Sequence, residues 1–131
     1  MNEPLDAPPM DFDITSSLDG DVLILTFTGR STHENAHAMT ERYFEIVLEA
    51  GTKKVLADIR PLKGRLSVGE TYFLVRDLPV KPTPVGIKTA VLETKERCGY
   101  GGFLETTSAN AGVHLKCFVD REEALSWLRA P

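Results

Sequence analysis

The sequence predicts an α/β domain with a mostly parallel five-stranded sheet. Three observations predict it: short apolar runs of strand length, stretches of helical spacing between them, and an Asp-Gly pair joining the first two runs. Strands that alternate with helices imply parallel neighbours, because a parallel connection needs a helix-length return. A tight turn makes the first pair antiparallel instead. The expected order is β-β-α-β-α-β-α-β-α, with the first strand alone running against the rest.

Residues 1–10 carry Pro4, Pro8 and Pro9 among acidic and small side chains. That composition buries too little apolar surface to offset ordering, so a flexible acidic segment is expected ahead of a single domain over residues 11–131. Residues 11–17 and 21–28 read as strands around Leu18-Asp19-Gly20, a hairpin signal. Ala36, Met39, Tyr43, Ile46, Val47 and Ala50 then recur at helical spacing, with Ser31 and Glu34 in the form of a capping box and Gly51 as the stop. Residues 55–59 read as a buried strand.

Ser67 and Glu70 form a second capping box, opening a helix whose apolar face is Val68, Tyr72 and Val75 and which runs to Leu78. Pro79, Pro82 and Pro84 then exclude helix and ladder alike. Residues 86–93 make the next strand. A loop containing Gly99, Gly101 and Gly102 leads to a helix over residues 100–110 that stops at Gly112. Residues 113–119 form the last strand. Asp120 and Glu123 cap a terminal helix bearing Ala124, Leu125, Trp127 and Leu128.

The 131 residues, 42% hydrophobic and 26% charged, suit one compact domain and leave no room for two. Net charge is −4, an excess carried by Glu3, Asp6, Asp11 and Asp13, while acids and bases balance at fifteen each from Ile14 onward. A body without basic bias argues against nucleic acid as the partner. No apolar run approaches the ~20 residues that span a bilayer. Residues 1–10 lack the features of a secretory signal, so a cytoplasmic protein is expected. The cysteines, Cys98 and Cys117, have no scaffold or zinc spacing and are read as thiols.

In such a sheet the carboxyl ends of the parallel strands share one rim, where the following helices begin. Helix starts present unpaired N–H groups and the positive end of the macrodipole, which suits an anion or a partner's carboxylate. The loops at residues 29–33, 60–67 and 93–101 meet there. Arg60, Lys63 and Arg65 lie together with no acid between them, and Arg30, Ser31, His33 and Ser67 complete the candidate ligand or partner site. A solvated charged loop and an ordinary N-cap serine are the plain explanations of the same residues.

His33-Glu34-Asn35-Ala36-His37 matches HExxH, where two histidines one turn apart on a helix bind zinc and the glutamate activates water. A zinc hydrolase is therefore the alternative reading, although no third ligand follows. Cys98, near Lys95 and Arg97, has no histidine that the sequence pairs with it as a base. Asp58, ending its strand, reads as a cap on the loop after it. The site has no catalytic residue in this reading, and no cofactor is expected.

Three stretches carry a family resemblance: Val-Leu-Ala-Asp at 55–58, Leu-Ser-Val-Gly at 66–69, and Lys-Cys-Phe-Val-Asp at 116–120 followed by Glu-Glu-Ala-Leu-Ser-Trp-Leu. On these the chain, from about residue 12 to 129, resembles the anti-sigma factor antagonist group of STAS domains, particularly its SpoIIAA-like branch. The resemblance implies a SpoIIAA-like fold and a regulatory protein without catalysis. In antagonists of this kind a serine in an Asp-Ser-Ser-Gly motif is phosphorylated by a partner kinase, which switches binding to an anti-sigma factor. Ser67 stands at that serine, with Leu66 in place of the Asp and Val68 in place of the second Ser. The resemblance also implies small-ligand binding and peripheral membrane contact, and a homodimer is among the expected assemblies.

Overall fold

A computed structural model describes residues 11–76, 86–110 and 114–131. The strands are β1 (Phe12–Asp19), β2 (Val22–Gly29), β3 (Lys54–Asp58), β4 (Lys88–Leu92) and β5 (Leu115–Phe118). The helices are α1 (Ala36–Ala50), α2 (Val68–Arg76), α3 (Cys98–Asn110) and α4 (Arg121–Arg129), with a 3-10 turn at Lys95–Arg97. One five-stranded sheet runs in the order β1-β2-β3-β4-β5. β1 is antiparallel to β2, and every other neighbouring pair is parallel.

Side-chain alternation gives the sheet two apolar faces. Leu23, Leu25 and Phe27 of β2 join Val55, Ala57 and Val91 under Met39, Ile46 and Val47 of α1. Val22, Ile24, Leu56, Ala90 and Leu92 turn the other way, onto Ala124, Leu125 and Leu128 of α4. Successive right-handed crossovers between neighbouring parallel strands place α1, α2 and α3 on one face. α4 follows the last strand, where no crossover constrains it, and covers the other. Leu56, Leu92 and Leu128 are fully buried there, each stabilising the fold by about 1.5–3 kcal/mol on area grounds.

Several local expectations change. The hairpin turn is Gly20-Asp21, so β1 continues through Leu18 and Asp19 to pair Asp19 with Val22. The Ser31–Glu34 capping box does not form. α1 begins later, and Thr32 and Asn35 exchange the reciprocal bonds instead: Asn35 Oδ1 accepts from Thr32 N at 2.9 Å and Thr32 Oγ1 from Asn35 N at 3.1 Å. Asn35 also donates through Nδ2 to Arg30 O at 2.8 Å, which pulls the chain into a turn before the helix.

Gly99, Gly101 and Gly102 belong to α3 and not to a loop. The two predicted caps further on do form. Glu70 N donates to Ser67 Oγ and Ser67 N to Glu70 Oε1, at 3.1 and 2.8 Å, while Asp120 accepts from Glu122 N at 2.8 Å. Residues 1–10, Leu78, the prolines at 79, 82 and 84, Gly112 and Val113 lie outside the described residues. So do the side chains of Val68, Tyr72 and Val75.

Candidate functional site

The carboxyl ends of β2, β3, β4 and β5 form one rim, as a parallel sheet requires. Backbone bonds knit its loops together. Lys63 N donates to Gly29 O and Ser31 N to Lys63 O, both at 2.8 Å, which prolongs the β2–β3 pairing beyond the strands. Ile59 N reaches Leu92 O at 3.1 Å and Glu93 N reaches Phe118 O at 2.9 Å. α1, α2 and α3 start from this edge on one face, and α4 starts from it on the other.

The rim charges are not arranged as the sequence suggested. Arg65 is only 9% exposed in its side chain, and it forms a bidentate ion pair with Glu93, which is 1% exposed. Its Nε and Nη2 donate to the two Glu93 oxygens at 2.8 Å each. The remaining donors reach Leu62 O and Gly64 O at 2.6 Å and Ile59 O at 2.8 Å. A guanidinium whose donors are spent on a carboxylate and three loop carbonyls is a clamp on residues 59–65. It is not an open anion site. The ring of Tyr100 lies 6.0 Å from its Cζ, at the outer limit of a cation–π contact.

Arg60 is also paired. Its Nε and Nη2 donate to the Asp58 carboxylate at 3.0 and 2.9 Å, and Asp58 Oδ1 accepts Arg60 N at 3.1 Å, so the expected cap on this loop is present. The side-chain bond to Asp58 holds the Arg60 guanidinium above its ordinary pKa. Of the rim cations the sequence grouped together, only Arg30 and Lys63 are exposed and without an acidic partner among the described residues.

Ser67 is exposed at the start of α2. Glu70, its capping partner, also meets His33, whose Nδ1 lies 3.2 Å from Glu70 Oε2. The Glu70 carboxyl is held below its ordinary pKa, first by the Ser67 backbone N–H, then by the Ser67 hydroxyl and the nearby His33. The structure thus joins two predicted site residues, His33 and Ser67, through an acid from the next turn. Leu66, at the position of the acidic residue in the resembled motif, is 8% exposed and packs in the core.

The zinc alternative loses its helical frame. His33 sits in the turn before α1 and His37 is inside the helix, so the pair does not stand on consecutive helical turns. Both are exposed, and among the described residues no group of three His, Cys, Asp or Glu side chains gathers as a metal site would need.

Cys117 faces the α3 side, and its thiol is pushed up to about 12 by burial first, then by the charges of Glu105 and Glu93. Exposed Cys98 lacks that burial. Peptide mapping after iodoacetamide treatment at pH 8.5 is expected to find Cys98 alkylated and Cys117 intact, since the thiolate is the nucleophile. Equal labelling of both would contradict the burial. The linkage has a definite sign: between about pH 9 and 12 the unfolded chain loses this proton and the folded one keeps it, so stability falls as pH rises through that window.

Glu93 is the residue the sequence reading missed. It was legible only as a lone acid closing the apolar run of β4, and nothing in the linear chain connects it with Arg65.

No protein-family model matches the sequence, and no curated protein matches it. Solved structures do. An anti-sigma factor antagonist from Mycobacterium paratuberculosis aligns over 95% of this chain and 99% of its own, with TM-score 0.62 and 13% identity. An uncharacterised protein with a SpoIIAA-like fold from Shewanella loihica aligns over the same shares, with TM-score 0.57 and 22% identity. The protein TM1081 aligns over 100% of both chains, with TM-score 0.52 and 16% identity. The fold is SpoIIAA-like. Among the described residues no helix is long and apolar enough to cross a membrane.

Proposed function

We propose that the chain is a non-catalytic regulatory module of the SpoIIAA-like kind, working in the cytoplasm, that docks a protein partner at the rim and alters that docking when Ser67 is modified. The observation that carries the reading is the position of Ser67. Its hydroxyl is exposed at the first turn of α2, between His33 and Glu70 on one side and the clamped loop on the other. A neighbour by fold is an anti-sigma factor antagonist, which directs the reading toward a protein partner.

A phosphoryl group on Ser67 Oγ would bring about −1.5 to −2 charges to this turn. It would repel the Glu70 carboxylate that now accepts the Ser67 N–H, and it would attract the N–H groups of α2 together with Arg30 and Lys63. A small anionic ligand would be drawn by the same groups, with Ser31 beside them. The surface changes while the sheet beneath it stays as it is.

The test is to incubate the chain with ATP and an extract of its cells of origin, then map phosphate by tandem mass spectrometry. Phosphate on Ser67, absent there in Ser67→Ala, is the expected result; a chain modified elsewhere or not at all removes the switch. The substitution itself is expected to cost about 1 kcal/mol as a lost N-cap, so the variant stays folded. Inorganic phosphate titrated against the wild type and Arg30→Ala/Lys63→Ala checks the small-anion version, and identical amide shifts in both would end it.

A further inference from the structure

We infer that the outer edge of β1, with the trough between β1 and α1, is a docking surface for an extended basic segment of another protein, which would add to the sheet as a sixth strand. This surface is separate from the rim at Ser67. β1 is an edge strand, and its eight residues pair with β2 in unbroken register from Phe12↔Gly29 to Asp19↔Val22. Natural sheets guard long edges with prolines, lysines or bulges. β1 reads Phe-Asp-Ile-Thr-Ser-Ser-Leu-Asp, and it has none of these.

The register shows which backbone groups are exposed. A two-residue hairpin exchanges both bonds at its closing pair, here Asp19↔Val22, and the pattern then alternates along an antiparallel ladder. Asp13, Thr15 and Ser17 therefore turn their N–H and C=O groups toward β2. Asp11 keeps the same parity, accepting from Arg30 N at 2.6 Å. Phe12, Ile14, Ser16 and Leu18 turn theirs outward, where no partner strand lies among the described residues.

The side chains of those same residues lie on the α1 face, where Phe12 and Ile14 reach the core. Beside them runs an open trough of about 410 Å³, with Phe12, Ile14 and Ala38 as its apolar floor. Leu18, 62% exposed, extends that apolar line toward the hairpin. The far wall is acidic. Glu41 and Glu45 stand on α1 with Arg42, which is paired to Glu45 at 3.2 Å, and Asp13 lies at the margin.

Charge selects the occupant. A strand added to the edge would place alternate side chains in the trough, so its backbone supplies affinity and every second residue supplies specificity. Apolar side chains would meet the floor, and lysines or arginines the wall. A second copy pairing through its own β1 would set two acidic walls together. Residues 1–11 of this chain carry Glu3, Asp6 and Asp11 and no lysine or arginine. Both are disfavoured by like charge.

The probe is an acetylated, amidated octapeptide alternating lysine and valine, with its glutamate counterpart as control, each titrated by amide NMR against the full chain. The lysine peptide is expected to shift the amides of Phe12, Ile14, Ser16 and Leu18 and to bind at least about tenfold more tightly than the glutamate peptide, about 1.4 kcal/mol. Ser16→Pro removes one outward donor at a position where an edge strand tolerates proline, and it is expected to weaken binding about tenfold. Glu41→Lys/Glu45→Lys leaves β1 untouched and should reverse the peptide preference. Absent shifts on β1, equal response to both peptides, or sedimentation showing a β1-mediated dimer that the lysine peptide does not displace would each overturn the inference.

Discussion

Replacing Arg65 with leucine is expected to destabilise the fold by about 3–5 kcal/mol, because it leaves the Glu93 carboxylate buried without its counter-charge. For a domain of this length that corresponds to a fall of about 10–20 °C in Tm. Glu93 is 1% exposed, so water cannot replace the lost partner. Three carbonyls, at Ile59, Leu62 and Gly64, lose a donor in the same step. Glu93→Gln should cost less, since an amide can still accept from the guanidinium, although the Arg65 charge then stays buried and unbalanced.

The double variant Arg65→Met/Glu93→Leu separates charge from packing. Removing both charges together is often close to neutral, so it should recover much of the single-variant loss. It would not restore the loop, because the Arg65 bonds to the Ile59, Leu62 and Gly64 carbonyls stay lost. Equilibrium unfolding in urea checks the series, and amide exchange over residues 59–67 checks the loop. A single Arg65→Leu variant as stable as the wild type would show that the pair is not the clamp described.

Gly29→Ala is expected to cost about 2–6 kcal/mol, strain at a glycine-type φ and overpacking against main chain each contributing about 1–3. Gly29 has φ +94°, a conformation L side chains rarely adopt. A Cβ there would press on the Asp11 carbonyl oxygen and come within 2.7 Å of Phe12 Cα. These contacts are backbone, so no side chain can rotate away. The neighbouring Arg30 N–H bond to Asp11 O should open with it, exposing the upper end of β1. Faster exchange of the Arg30 amide together with a lowered urea midpoint is the expected pair of readings; an unchanged midpoint would contradict the crowding.

The first strand pair, the alternation of strand and helix, and the caps at Ser67 and Asp120 are all legible in the sequence, because each depends on residues within a few positions of one another. The start of α1 was less so. Ser31 and Glu34 have the right spacing for a cap, but Asn35 takes both Thr32 and the Arg30 carbonyl, and this denser local network wins. The glycines of α3 misled for a related reason: glycine permits a loop without requiring one, and the segment packs as helix against β5.

The candidate site was legible in its location and not in its electrostatics. Arg60, Lys63 and Arg65 are close in sequence, which made them look like one positive patch. Asp58 is only two residues from Arg60, near enough to be weighed as a cap, yet its ion pair requires the turn of the chain after β3. Glu93 lies twenty-eight residues beyond Arg65 and meets it only because β4 is laid beside β3.

Local pattern, then, determined the class of fold, the direction of its first strand and the edge at which the helices begin, since hydrophobic period and turn chemistry act over a few residues. Tertiary structure alone decided which charges face solvent, that α4 closes the opposite face, and that β1 stands at the edge of the described sheet beside an acidic helix. Those outcomes depend on which distant segments the sheet order makes neighbours, and burial then compels each enclosed charge to find its counter-ion.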